Sequence, residues 1–209
     1  RSYKKLNRTI MEGIISFEDK KYPKKLKEIK NPPKNIYYQG KIIWDNPCLA
    51  VIGSRNCSTE NKSTCLKIIK DLPANFVIVS GLAKGIDTFA HISALKSGKA
   101  TIVVLPSGIE KIYPKENENL TKKIIENNGL LISEYPSKTK PTKFSFIQRN
   151  RITAGLSFAV LVIEAQIKSG TMHTVRFAQE QGKTIYAVPG SEGTDYLIIN
   201  GAIPVSTAN

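Results

Sequence analysis

Histidine is nearly absent from this chain, with only His91 and His173 among 209 residues. Two imidazoles leave little choice of base for nucleophilic hydrolysis, and no Gly-x-Ser-x-Gly elbow accompanies them. Cysteine is scarce too. Cys48, Cys57 and Cys65 are odd in number, lack Cys-x-x-Cys spacing and have no histidine at ligand spacing. They read as reduced thiols, two of them buried, rather than as a metal site or a disulfide framework. No apolar run approaches the roughly 20 residues that span a bilayer, and no secretory signal pattern opens the chain. A cytoplasmic location without a membrane partner is the resulting expectation. Internal repeats and low-complexity tracts are lacking, which sets aside solenoids and disordered tails. The Gly-x-Gly-x-x-Gly fingerprint of a dinucleotide enzyme is missing as well; the nearest stretch, VIGSRNCS, does not match it.

Cations, by contrast, are plentiful. Lys and Arg number 31 against 17 Asp and Glu, a net charge of +14. An excess of that size fits an acidic polymer better than a neutral metabolite. Most of these cations are lysines, which also decorate ordinary solvated helix faces. Arginine is the sharper clue, because its planar fork grips phosphate bidentately and stacks on bases. The arginines inside motifs are Arg55, Arg149, Arg151 and Arg176.

The most informative segment is VIVSGLAKGIDTFAHISALKSG, residues 77–98. An apolar strand, a glycine-bearing turn and a helix follow one another directly. Ser80, Gly81, Lys84 and Gly85 offer backbone amides and a positive charge where the helix N-terminus points, an arrangement that suits an anion. Two further segments repeat the layout. One runs from LAVIG through Gly53, Ser54 and Arg55 into a helix capped by Ser58 or Thr59. The other runs from FAVLVIE through Lys168, Ser169, Gly170 and Thr171 into a helix closed by Gly182. With TIVVL, GLLIS and TIYAV, six candidate strands emerge. Their continuous apolarity implies burial on both faces, and the helix-length crossovers imply parallel pairing. The predicted fold is a doubly wound α/β domain with a mostly parallel sheet. Its strand-end turns, including Ser107 and Gly108, should converge on one rim.

Residues 1–45 differ: they are rich in lysine and carry Pro23, Pro32 and Pro33. We expect a basic lead-in segment that packs a short helix and an edge strand on the core formed by residues 46–209. Tyr37, Tyr38 and Trp44 read as packing residues.

The stretch KPTKFSFIQRNRITAGLS interleaves Lys143, Arg149 and Arg151 with Phe144 and Phe146. Cations that follow a backbone and rings that stack on unpaired bases suit single-stranded nucleic acid. Two phenylalanines before a helix also form a hydrophobic staple, so one ring can pack while the other stacks. Arg149 and Arg151, two apart on a helix, point in different directions; one faces a pocket at most, and the other is free to pair with a carboxylate.

The pieces YPKKL, PPKNIYYQG, VIGSR, VSGLAKGIDTFAH, TIVVLPSGIEKIYPKEN, GLLISEYP, FIQRNRITAGLS, VIEAQIKSGT and TIYAVPG stand in one order. In that order the chain resembles the DNA-processing protein A family, also called Smf. The resemblance implies an extended Rossmann-like core, single-stranded DNA bound in a basic pocket, a homodimer, and loading of the RecA recombinase during natural transformation. It implies no catalysis and no cofactor. It also places Arg55, Gly81 with its neighbours, Lys143 and Phe146 at DNA, and aligns Ser169, Gly170 and Thr171 with the family's Ser-Gly-Ser/Thr turn. His173 falls in a variable part of that helix and is expected at the surface or half buried.

Two rivals come from other classes. Phosphoribohydrolases of related fold need a carboxylate after Pro-Gly-Gly-x-Gly-Thr, but KSGTMHT lacks the double glycine and offers Thr174 where Glu is required. A small-ligand sensor would use the same phosphate-friendly rim for a mononucleotide.

Overall fold

The computed structural model describes residues 10–206; residues 1–9 of the basic lead-in segment fall outside them. In chain order the elements are β1 (Glu12–Ser16), α1 (Lys24–Lys27), β2 (Asn35–Gly40), β3 (Cys48–Gly53), α2 (Thr59–Asp71), β4 (Val77–Ser80) and α3 (Ile86–Lys96). They continue as β5 (Thr101–Leu105), a 3-10 turn (Lys115–Asn117), α4 (Glu118–Glu126), β6 (Leu130–Ser133) and α5 (Lys143–Leu156). The last are β7 (Ala159–Glu164), α6 (Gly170–Glu180), β8 (Thr184–Ala187), α7 (Glu192–Ile199) and β9 (Ile203–Pro204).

Among the described residues one nine-stranded sheet has the order β1-β2-β6-β5-β4-β3-β7-β8-β9. From β6 to β9 every pair is parallel, and β2 and β1 are added antiparallel at one side. The first six strands of the parallel part, β3 to β8, are the runs read in the sequence, and β3 to β7 are buried, since strands covered on both faces have no polar face to alternate; the exposed two-residue β9 was not among them. β3, for instance, is buried throughout. Alternate residues of β3 feed opposite layers: Leu49 and Val51 pack with Cys65 and Ile69 of α2 and Ala90 of α3. Ala50 and Ile52 pack with Ala154 of α5 and Val175 of α6. Each fully buried aliphatic side chain of this kind contributes roughly 1.5–3 kcal/mol.

The lead-in segment supplies more sheet than its composition announced. The IYYQG run forms β2, but it is not the edge: it lies between β1 and β6, and β1 takes the outer place. The strand was hard to read because β1 buries only Ile15, so no apolar stripe marks it. Tyr22, Ile36 and Trp44 enter the core beneath α5, with Tyr38 packed against them. Cys48 and Cys65 are buried and Cys57 is half-buried; burial pushes the first two thiols up to about 11 and about 12, away from reactivity.

His91 shows what the core does to a titratable group. Thr101 Oγ1 gives its proton to the Ile78 carbonyl at 2.6 Å, so the 2.8 Å contact with His91 Nδ1 requires the imidazole to donate. Nε2 is then a buried acceptor without a hydrogen-bond partner. Burial, with the Arg149 charge adding to it, lowers the His91 pKa to about 3. The native state therefore resists a proton that the unfolded chain accepts near pH 6.5. Stability from this group is complete above that pH and declines as pH falls toward 3. The expected loss is roughly 2 kcal/mol between about pH 6.5 and pH 5. Urea titrations at both pH values should show that His91→Gln removes this part of the pH dependence.

Candidate nucleic-acid interface

The chain steps from β3 outward through β4, β5 and β6, then returns to place β7 on the other side of β3. At that reversal neighbouring βα turns diverge and leave a crevice at the carboxyl ends of the strands. A cavity of about 830 Å³ occupies it. Ten of the residues predicted for the site line it: Gly53, Ser54, Arg55, Gly81, Lys143, Phe146, Arg149, Ser169, Gly170 and Thr171.

Arg55 is exposed on a backbone pinned from two sides. Ser54 N–H donates to the Glu164 carbonyl at 2.8 Å, and Ile86 N–H donates to the Ser54 carbonyl at 3.0 Å. The latter contact needs Gly85, which has φ 78° and whose place would bring a Cβ into the carbonyls of Ser54 and Arg55. The guanidinium of Arg55 lies 5.9 Å from the centre of the Phe146 ring, within cation–π range. Phe146 in turn meets Tyr113 edge to face, with ring centres 5.4 Å apart. Both rings line the cavity. α5 starts at a capping box, in which Thr142 Oγ1 accepts from Ser145 N–H and Ser145 Oγ accepts from Thr142 N–H. That cap fixes Lys143 and Phe146 in the first turn.

Arg149 plays a different part from Arg55. It is buried, and Nη1 donates to the carbonyls of Gly81 and Val104 at 2.6 Å each, tying the ends of β4 and β5 to α5. Gly81 is required here because any Cβ would run into that guanidinium. Asp87, also buried, accepts from Gly81 N–H at 3.1 Å. Burial raises its pKa from the ordinary carboxylate value, against the Arg149 charge and the backbone N–H groups of Gly81, Ala83 and Gly53. Burial likewise lowers the pKa of Arg149, Asp87 opposing and Arg55 adding to the effect. Arg149 is thus the buttress of the cavity floor as well as part of its lining.

Six predicted residues do not line this cavity. Arg151 faces away on α5, where its guanidinium grips Glu134 with two bonds of 2.8 and 2.6 Å and donates to the Asn31 carbonyl. It fastens α5 to the lead-in segment and stands outside the cavity, the carboxylate-paired member of the two arginines. Ser80 is fully buried and donates to the Val51 carbonyl at 2.7 Å. Lys84 turns outward to Glu116 at 2.9 Å, a solvated pair of the kind that adds little stability. Phe144 and Lys168 project into solvent, and Gly85 borders an adjoining cleft. Ser107 and Gly108 also leave the rim: Ser107 accepts from Ser133 Oγ through its carbonyl, and Gly108 N–H donates to the Thr139 carbonyl. Tyr113, further along the same loop, reaches the cavity instead.

Sequence reasoning missed Tyr113, Asn150, Gln166 and Thr153 as lining residues, and His173, expected at the surface or half buried, is exposed on the cavity rim. Asn150 had a signal, standing inside Arg-Asn-Arg next to a predicted site residue. Glu164 is the main acidic feature. Its Oε2 accepts from Ser58 N–H at 3.0 Å and Asn61 Nδ2 at 2.9 Å, filling the N-terminal anion position of α2 from within the chain. Among the described residues no three His, Cys, Asp or Glu side chains converge as a metal site, and no helix is long and apolar enough to cross a membrane.

A sequence model described as DNA recombination-mediator protein A matches residues 13–209. The chain belongs to that family. DNA processing protein DprA of Streptococcus pneumoniae is 43% identical over 195 residues, covering 90% of this chain and 69% of that protein. Its X-ray structure superposes with a TM-score of 0.89 at 40% identity, over 94% of this chain and 71% of the solved one. The Helicobacter pylori protein, whose structure is described for its unique single-stranded DNA binding mode, gives a TM-score of 0.83 at 34% identity, with 93% of each chain covered. The chain spans about half of Protein Smf from Synechocystis, 52%, at 39% identity. As a member of this family of DNA recombination mediators, it shares the α/β fold of these structures over the matched lengths.

Proposed function

We propose that the chain binds single-stranded DNA without sequence preference in the cavity at the β3/β7 reversal and works as a non-enzymatic mediator. The observation that carries this reading is the Arg55–Phe146–Tyr113 array on the cavity wall, one cation and two rings side by side. A cation takes the phosphodiester backbone while rings take bases, and neither demands a particular base. The absence of base-edge discrimination follows from stacking on π-faces. The carboxylates at the site favour binding over catalysis: Asp87 is buried against the floor and Glu164 is held by α2. The relative described for single-stranded DNA binding supports the same reading.

Association as a homodimer belongs to this proposal, supported within the chain by exposed Tyr196, Ile199 and Ile203. Delivery of the strand to RecA in the cytoplasm rests on family membership.

The test is competition against labelled oligo-dT. A DNA track gains affinity with each added phosphate, so thymidine monophosphate should compete poorly and longer oligonucleotides progressively better. A mononucleotide that saturates the cavity as well as an oligomer would reassign it to a nucleotide sensor. Phe146→Ala is expected to weaken oligo-dT binding by roughly 1–3 kcal/mol with little change in salt slope, measured by fluorescence anisotropy.

A further inference from the structure

The main cavity does not end at Arg55. A second cleft of about 550 Å³ lies beyond it and shares Arg55, Asn56 and Glu164 with the first. Its other walls include Lys62 of α2 and Gly85 and Phe89 at the start of α3. Lys62 Nζ rests 4.9 Å from the centre of the Phe89 ring. That contact restrains a side chain which is otherwise free to sample many rotamers, and it leaves the ammonium's hydrogens available. The acidic member of the cleft, Glu164, accepts through Oε2 from Ser58 N–H and Asn61 Nδ2. Two cations and one carboxylate thus border a cleft that shares lining with the main cavity, a net positive charge, and the carboxylate directs Oε2 to the α2 N-terminus rather than to either cation.

We propose that this cleft is a second backbone subsite, in which Lys62 takes a phosphodiester group of the strand as it leaves the main cavity past Arg55. The inference rests on the single-stranded DNA reading of the main cavity and adds a direction to it: the strand runs from the Phe146 side, across Arg55, toward α2. A point charge such as lysine suits this position, because a phosphate passing over the surface needs neutralising rather than bidentate orientation.

Oligonucleotide length separates the subsite from the main cavity. Anisotropy should be measured for oligo-dT of about four and about eight nucleotides, within the site sizes usual for single-strand binders, with the native protein, Lys62→Gln and Arg55→Ala. Lys62→Gln is expected to leave the shorter oligonucleotide unaffected and to weaken the longer one several-fold. Its salt slope for the longer one should be shallower by about 0.7, the share of one neutralised phosphate. Equal binding of the longer oligonucleotide by native protein and Lys62→Gln would overturn the subsite, as would equal weakening at both lengths. If the native protein binds neither, or Arg55→Ala weakens neither, the main-cavity reading itself fails and the subsite with it.

Discussion

Arg55→Ala is expected to weaken binding of oligo-dT by more than about tenfold, the loss of roughly 1.5–3 kcal/mol that accompanies one charge-assisted contact. The side chain is exposed, so the fold does not depend on it, and the melting temperature should stay close to that of the native protein. What depends on it is the boundary it forms. Arg55 borders both clefts and sits over the Phe146 ring, so its removal takes a phosphate partner and uncovers an aromatic face together. Arg55→Lys should recover part of the affinity, because the charge returns without the planar fork. Affinity within about twofold of native for Arg55→Ala would mean that the cation excess is diffuse and the site lies elsewhere.

Arg149→Ala should fail in another way. Its guanidinium serves the Gly81 and Val104 carbonyls and is the chief opposite charge near buried Asp87. Deleting it leaves two carbonyls unpaired and takes from buried Asp87 its opposite charge, leaving that carboxyl only backbone N–H partners, at a cost of about 3–5 kcal/mol. A loss of that size is a large fraction of the stability of an ordinary domain. Chemical denaturation should therefore show a markedly lower midpoint, and binding should fall because the floor between β4 and α5 collapses. Gly81→Ala is expected to reproduce much of the defect from the other side, since its Cβ would occupy the guanidinium's place. A midpoint within about 1 kcal/mol of native for Arg149→Ala would show that the floor does not rely on this residue.

The contrast between these two arginines marks the limit of what the sequence discloses. Both stand in short motifs beside small residues, and composition cannot tell a ligand-facing cation from a buried one. Arg149 and Arg151 differ by two positions, about 200° around a helix, so their divergence was legible. Which of them met the cavity depended on α5 packing across β3, β4 and β5, a tertiary fact. The five buried parallel strands β3 to β7 were legible because burial on both faces writes continuous apolar runs, and β8, though only part-buried, was legible from its β-branched and aromatic residues. Parallel pairing then forced Gly53–Arg55, Gly81 and Ser169–Thr171 to one rim without further information. β1 left no such mark, with a single buried residue and four exposed ones. Tyr113 was hidden for a related reason: it comes from a loop, where no periodicity fixes the direction of a side chain. Lys84 shows the converse: a lysine between two glycines reads as a phosphate ligand, and in the structure it stands outside the cavity, paired in solvent with Glu116.

The most direct measurement of the central claim is the salt dependence of oligo-dT binding by the native protein, followed by anisotropy across a range of monovalent salt. If about five phosphates are neutralised along the track, log K should fall against log salt with a slope of about −3.5. A flat response, or no binding at low salt, would contradict a DNA track at the β3/β7 reversal.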